Sequence, residues 1–303
     1  MKIEKIISLA SAPVRLRLLA MVRSLRATGC DLPVLVIPYD DEPESRFPLP
    51  EGCQWWEMPE VLAWAREIRA HPMVRKYQCF LTGNYQYVDS DVIFLRNPAD
   101  VLAAATDFVA SCGHWRNPAH TMTGQTEAIF RARSTNWQSR IFNAGQFACD
   151  CPLFESFAAL RAAVEDPAHA ASVLDPISEQ PGINLLRLIS GVPISNLTLP
   201  PVNMESTWAG DYLDADFRHY WVRPDGKSGS NGRQPYLIHW AGMPMDRELP
   251  IHELFYAQLS AAERAEWAAQ VRRRAAAAVG WDRQLRRWKN RAKKAAEALQ
   301  GKL

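Results

Sequence analysis

At 303 residues, 48% apolar and 22% charged, the chain has the length for one large domain, or a domain with an appended element, and the composition of a protein with a real core. Thirty-five basic residues against 33 acidic ones leave it near neutrality, at +2. This balance excludes a disordered chain, a collagen-like repeat and a small disulfide-stapled scaffold, and no apolar run approaches the roughly 18 to 20 residues of a membrane-crossing helix.

The first residues resemble a secretory leader, with Lys2 and Lys5 ahead of Ile6, Ile7 and Leu9. The apolar stretch is too short for one and Glu4 interrupts the charged part, so a buried first strand over residues 3–10 explains it better. The expectation is a cytoplasmic protein. Pro13 then suits the first turn of a helix that carries Leu16, Leu18, Met21, Val22 and Leu25 on one face. Further strands are expected over 32–38, 54–56, 85–89 and 108–112, with a helix over 61–70. Strands alternating with helices imply right-handed crossovers and a mostly parallel sheet covered on both faces, an α/β architecture that binds ligands at the carboxyl ends of its strands.

Beyond residue 113 the pattern is less regular. Helices are expected over 153–164 and 183–189, a turn over 224–232, and a late strand over 236–238 that runs into His239. Residues 251–303 read as helices appended to a domain of residues 1–250. From residue 271 onward eleven basic residues face two acidic ones, a net +9, which leaves the rest of the chain acidic. The six cysteines, Cys30, Cys53, Cys79, Cys112, Cys149 and Cys151, form no C-x-x-C pair and read as buried thiols in a reducing compartment.

The sharpest chemical signal is Tyr87-Val88-Asp89-Ser90-Asp91-Val92-Ile93-Phe94. Carboxylates at i and i+2 of an extended chain project to one side, so Asp89 and Asp91 can serve one cation. Oxygen donors suit Mn²⁺ or Mg²⁺, which completes its shell with phosphates and water and can neutralise a diphosphate leaving group. A strand-end turn is the alternative role for such a pair, and the buried strand before it argues for the ligand role.

A strand ending in Asp-x-Asp resembles the signature of nucleotide-sugar glycosyltransferases of the GT-A fold, and most of all family 8, which includes lipopolysaccharide galactosyltransferases and glycogenin. Three later stretches agree with that family in order and spacing. Phe142-Asn143-Ala144-Gly145 is similar to its F-N-[SA]-G, Glu179-Gln180-Pro181-Gly182-Ile183-Asn184 to its D-Q-x-x-L-N, and His239-Trp240-Ala241-Gly242 to its H-[FY]-x-G. The resemblance covers residues 1–250. It implies that His239 is the third metal ligand, that Asn143, Glu179 and Gln180 act on the transferred sugar, and that the anomeric configuration is retained. A neutral imidazole is a competent third ligand for Mn²⁺, and a carboxylate such as Glu179 suits the positive charge of an oxocarbenium-like transition state. Capping the helix opened by Pro181 is the competing role for Glu179 and Gln180, and a plain turn is that for Asn143 and Gly145.

Two positions depart from the family: Glu179 stands where it has Asp, and Met245 where it has a diphosphate-binding lysine, with Arg247 close enough to substitute. The candidate donor-binding set is completed by Ser8 and Ala10 beside the turn after the first strand, Ser90 between the aspartates, Gly242, and Lys76, which could meet a phosphate but for which a solvated helix surface is the favoured reading. Trp115, Trp137, Trp208, Tyr212 and Trp221 lie in the irregular half, where an acceptor would enter and flat rings suit sugar C–H faces.

The expected activity is metal-dependent transfer of a sugar from a nucleotide-diphosphate sugar to a hydroxyl of a glycan or lipid-linked acceptor. In the basic tail Trp281, Leu285 and Trp288 form one stripe among arginines and lysines, which suits adsorption to anionic lipid; no nucleic-acid-binding module is present. Two other classes compete. A haloacid-dehalogenase-type phosphatase needs its D-x-D after the first strand and followed by Thr, whereas here Val92-Ile93 follows. A non-catalytic sugar-nucleotide-binding scaffold is the second.

Overall fold

The computed structural model describes residues 1–68, 71–174, 178–221, 233–245 and 248–277. The expected turn over 224–232, Arg247 and the Trp281–Leu285–Trp288 stripe lie outside the described residues. The chain divides into two compact units, Met1–Gln258 and Leu259–Leu303. The described part of the second unit is a helix over 261–277. Among the described residues no helix is long and apolar enough to cross a membrane.

The strands of the first unit are β1 (Lys5–Ala10), β2 (Val34–Pro38), β3 (Cys53–Trp55), β4 (Tyr85–Val88), β5 (Val92–Phe94), β6 (Phe108–Ala110), β7 (Gln146–Cys149), β8 (Ile194–Asn196) and β9 (Leu237–His239). Seven of them form one sheet in the order β3-β2-β1-β4-β7-β6-β8, while β5 and β9 pair antiparallel in a small second sheet. Its β1–β2, β1–β4, β2–β3 and β6–β8 pairs are parallel, and β7 alone runs against its neighbours. The helices are α1 (Arg15–Ala27), α2 (Pro59–Glu67), α3 (Pro98–Leu102), α4 (Gly124–Arg133), α5 (Phe157–Glu165), α6 (Ala170–Val173), α7 (Gln180–Ser190) and α8 (Glu253–Tyr256).

Alternation along the strands divides the core into two layers. Tyr85 and Tyr87 of β4 join Phe108, Phe142 and Phe147 on one face, and Val88 joins Ile6, Val34, Val36 and the Leu18–Met21–Leu25 stripe of α1 on the other. Phe147 is the hub of the first layer, with ring centroids 5.1 Å from Tyr87 and 5.2 Å from Phe108. Each such buried ring contributes about 1.5–3 kcal/mol. The aromatic layer thus ties β4, which delivers Asp89, to β7, which follows the Asn143–Gly145 turn.

Several boundaries differ from the sequence expectation. Residues 12–14 form a 3-10 turn before α1. Residues 153–156 stay outside α5, because the Ser156 hydroxyl caps it by accepting from Ala159 N–H at 3.2 Å. Strands β5, β7 and β8 and helix α4 lie where no regular element is expected, and α7 begins at Gln180, with Pro181 inside its first turn.

Candidate active site

The two aspartates converge through a turn, a correction to the extended geometry that their spacing suggests. Strand β4 ends at Val88, Ser90 and Asp91 lie in a turn, and β5 starts at Val92 in the other sheet. The turn is held at both ends: Asp89 N–H donates to Gly145 O at 2.8 Å, and Asp91 O accepts from Trp240 N–H at 3.1 Å. His239 is opposite Val92 in the β5–β9 ladder, which sets its ring over the turn. His239 Nε2 lies 3.3 Å from Asp91 Oδ1 and 3.8 Å from Asp89 Oδ2. One ligand atom from each of the three residues falls within 4.8 Å of the others, so 150 residues of intervening chain close on a single point. Two carboxylates and an imidazole are a donor set that fits Mn²⁺ or Mg²⁺.

Gly145 makes this approach possible. A β-carbon there would lie 2.8 Å from His239 Nε2 and closer still to Asp89 Oδ2. The space is taken by the side chains of His239 and Asp89 themselves, which is a sharper reason for glycine than a plain turn.

Lys76 proves to be the organising cation of the site. It is wholly buried in a 3-10 helix over Pro72–Leu81, which corrects the solvated-surface expectation. Its ammonium sits 2.6 Å from Glu179 Oε1 and 2.9 Å from Asp89 Oδ1. Burial alone would lower the lysine pKa, but the Asp89 and Glu179 carboxylates outweigh it and push it up to about 12. Burial likewise opposes the charge of Glu179, and Lys76 more than compensates, so its carboxyl is held below the ordinary value. Tyr87 OH donates to the same Asp89 Oδ1 at 2.6 Å, leaving Oδ2 to face His239. Asp91, also opposed by burial, is kept well below the usual carboxylate range by the hydrogen bond and charge of His239 and by the Arg17 guanidinium 3.8 Å away.

The sugar-motif residues form a second connected group. Gln180 Oε1 accepts from Ala144 N–H at 3.0 Å and from Asn143 Nδ2 at 3.2 Å, while Asn143 Oδ1 accepts from Gly145 N–H at 2.8 Å. Asn184, one turn along α7, is fully buried; its Oδ1 accepts from Phe142 N–H and its Nδ2 donates to Phe142 O, each at 2.9 Å. Gly182 gives α7 its close seat, since a β-carbon there would lie 2.7 Å from Val173 O. The end of α7 is therefore locked to the turn before β7, and both face the metal-ligand cluster.

These groups line one cavity of about 540 Å³. Asp89, Asp91, His239, Asn143, Glu179, Gln180 and Gly242 all border it, and Trp208 adds a partly exposed ring. The remaining donor-binding candidates do not line it. Ser8 and Ala10 are sealed inside β1, Ser90 is turned into the fold, and Lys76 acts from behind the carboxylates. Among the other aromatic candidates Trp115 bonds Thr198, and Trp137, Tyr212 and Trp221 are buried. Met245, where the family resemblance calls for a phosphate-binding lysine, is buried and does not border the cavity. Sequence reasoning missed His114, Arg116, Asn117 and Asp211, which border the cavity from loops that carry no recognisable pattern. His114 Nε2, 3.2 Å from Asn143 Nδ2, links those loops to the sugar motif.

No protein-family model matches the chain, and a comparison with curated proteins finds no relative. Solved structures do match. The galactosyltransferase LgtC, in complex with donor and acceptor sugar analogs, superimposes with a TM-score of 0.54 at 15% identity, over 88% of this chain and 99% of that one. An active-site mutant of LgtC matches at 0.50 and 16% identity, over 84% and 95% of the two chains. The bifunctional glycosyltransferase WbbM, in its apo form, matches at 0.50 and 12% identity over 90% of this chain, which spans about half of it, 51%. The chain thus has the GT-A-like fold of LgtC, the architecture that its Asp-x-Asp strand and later motifs imply.

Proposed function

We propose that this protein is a metal-dependent glycosyltransferase that moves a sugar from a nucleotide-diphosphate sugar to a hydroxyl of a glycan or lipid-linked acceptor. The observation that carries the reading is the meeting of Asp89, Asp91 and His239 at one edge of a cavity whose other wall holds Asn143, Glu179 and Gln180. A divalent cation, Mn²⁺ or Mg²⁺, held by the first three would supply neutralisation of a diphosphate leaving group. The protein's own contribution is positional and electrostatic. Lys76 keeps Glu179 ionised, so a carboxylate is ready for the positive charge that builds on a sugar ring as its anomeric bond breaks. Asn143 and Gln180, already fixed by their mutual bond, are placed to orient sugar hydroxyls without paying that ordering cost on binding. Trp208, partly exposed at the cavity wall, offers an aromatic face to an acceptor ring.

One fold can host both transfer and binding without turnover. The decisive experiment is a donor-cleavage assay over a panel of nucleotide-diphosphate sugars with Mn²⁺. Turnover of one donor that EDTA stops and Asp91→Ala abolishes supports the enzyme. Tight, metal-dependent nucleotide binding with no cleavage of any donor would make it a sugar-nucleotide-binding scaffold instead.

A further inference from the structure

Arg116 borders the cavity from the 3-10 turn His114–Arg116 that follows β6. Its guanidinium carbon lies 5.3 Å from the ring centroid of Trp115, and Trp115 is itself anchored by its Nε1–H, which donates to Thr198 Oγ1 at 3.0 Å. A guanidinium stacked in this way is oriented while its N–H donors remain available at the edges. Among the described residues Arg116 has no carboxylate partner, although Arg17, Arg75 and Lys76 each have one. Asp211 borders the same cavity, and both it and Arg116 act on the Tyr212 phenol, yet no ion pair joins the two among the described residues. A stacked guanidinium at the cavity wall, with no carboxylate partner among the described residues, suits an anionic ligand. β7 separates β6 from β4, a displacement of about 10 Å at the usual strand spacing, so Arg116 is offset from Asp89 and Asp91 across the sheet.

We propose that Arg116 is the residue by which this cavity selects a negatively charged substrate, receiving a carboxylate or phosphate in a bidentate contact. The inference rests on the transferase reading for the identity of the ligand as a sugar. The offset from the metal-ligand cluster makes the acceptor its bearer, with Asp211 left to accept from neutral hydroxyls.

The test compares wild type, Arg116→Ala and Arg116→Lys in their binding of D-glucuronate, glucose 6-phosphate and glucose, followed by ligand-observed NMR. Separate titrations use UDP with Mn²⁺. Arg116 is exposed on a short turn, and melting curves establish that the variants fold. The wild type should favour the two anionic sugars, and Arg116→Ala should lose that preference by about tenfold, with partial retention in Arg116→Lys, at unchanged UDP affinity. A tenfold loss of UDP affinity at unchanged sugar preference would place the anion contact on the donor diphosphate and overturn its assignment to the acceptor. Identical binding of every probe by wild type and Arg116→Ala would overturn the proposal. Asp91→Ala keeps the two readings apart, since it removes metal-dependent UDP binding and should leave the preference for anionic sugars in place.

Discussion

Lys76 and Asp89 form an ion pair at 2.9 Å in which the lysine is wholly buried and the aspartate is a candidate metal ligand. One carboxylate oxygen of Asp89 is thereby occupied from inside the fold, by Lys76 and by Tyr87 OH, and the other is presented to His239. The same ammonium holds Glu179, so a single buried charge sets the orientation of a candidate metal ligand and the ionisation of the carboxylate on the opposite wall. The candidate metal ligands and Glu179 are one electrostatic unit.

Removing that charge should be costly. Lys76→Met leaves two carboxylates facing each other without a counter-ion, and breaking a buried pair from one side typically costs about 3–5 kcal/mol. Urea unfolding should show a loss of that order. The double variant Lys76→Met/Glu179→Gln should regain part of it, because one of the stranded charges is gone. Equal stabilities for the single and double variants would disprove the shared-charge account.

The pH dependence of stability has two limbs. Glu179 and Asp91 have folded pKa values below their ordinary ones, so their contribution is complete above about pH 5 and is lost as pH falls through the depressed values. Lys76 is raised, so its contribution is complete below about pH 10.4, the ordinary lysine value, and is lost as pH rises through about 12. Denaturation at a series of pH values in EDTA should therefore show a plateau that declines at both ends. In Lys76→Met the alkaline limb should disappear and the acid limb should shrink. An unchanged profile in that variant would show that the ion pairs contribute nothing to folding.

Gly145→Ala tests the close approach. The added methyl group collides with His239 and Asp89, and relief by a shift of the turn costs about 1–3 kcal/mol. The displaced imidazole should weaken Mn²⁺ binding at least tenfold while the circular dichroism spectrum stays native. Wild-type Mn²⁺ affinity in this variant, measured by calorimetry, would mean that His239 is not a ligand.

Much of this arrangement is legible in the chain. The strand before Asp89 is apolar and bounded, and three later motifs follow it in the order that the resemblance implies, so the candidate site residues stand out in the sequence. Other parts are not legible, for physical reasons. β5 and β8 are three residues long and carry no period of their own. The antiparallel course of β7 is decided by its pairing with β4 and β6 rather than by its residues. Lys76 resembles any exposed lysine because its two partners lie 13 and 103 residues away, and only tertiary contact turns a solvated charge into a buried one. Arg116 and Asp211 sit in loops, where recognition residues carry no periodic signal.

The most direct test of the metal-centred account is a calorimetric titration of Mn²⁺ into wild type, Asp91→Ala and His239→Ala, each with and without UDP. Binding to one site in the wild type, tightened by UDP and reduced at least tenfold in both variants, is the predicted result. Equal Mn²⁺ affinity in all three proteins, or UDP binding indifferent to the metal, would contradict it.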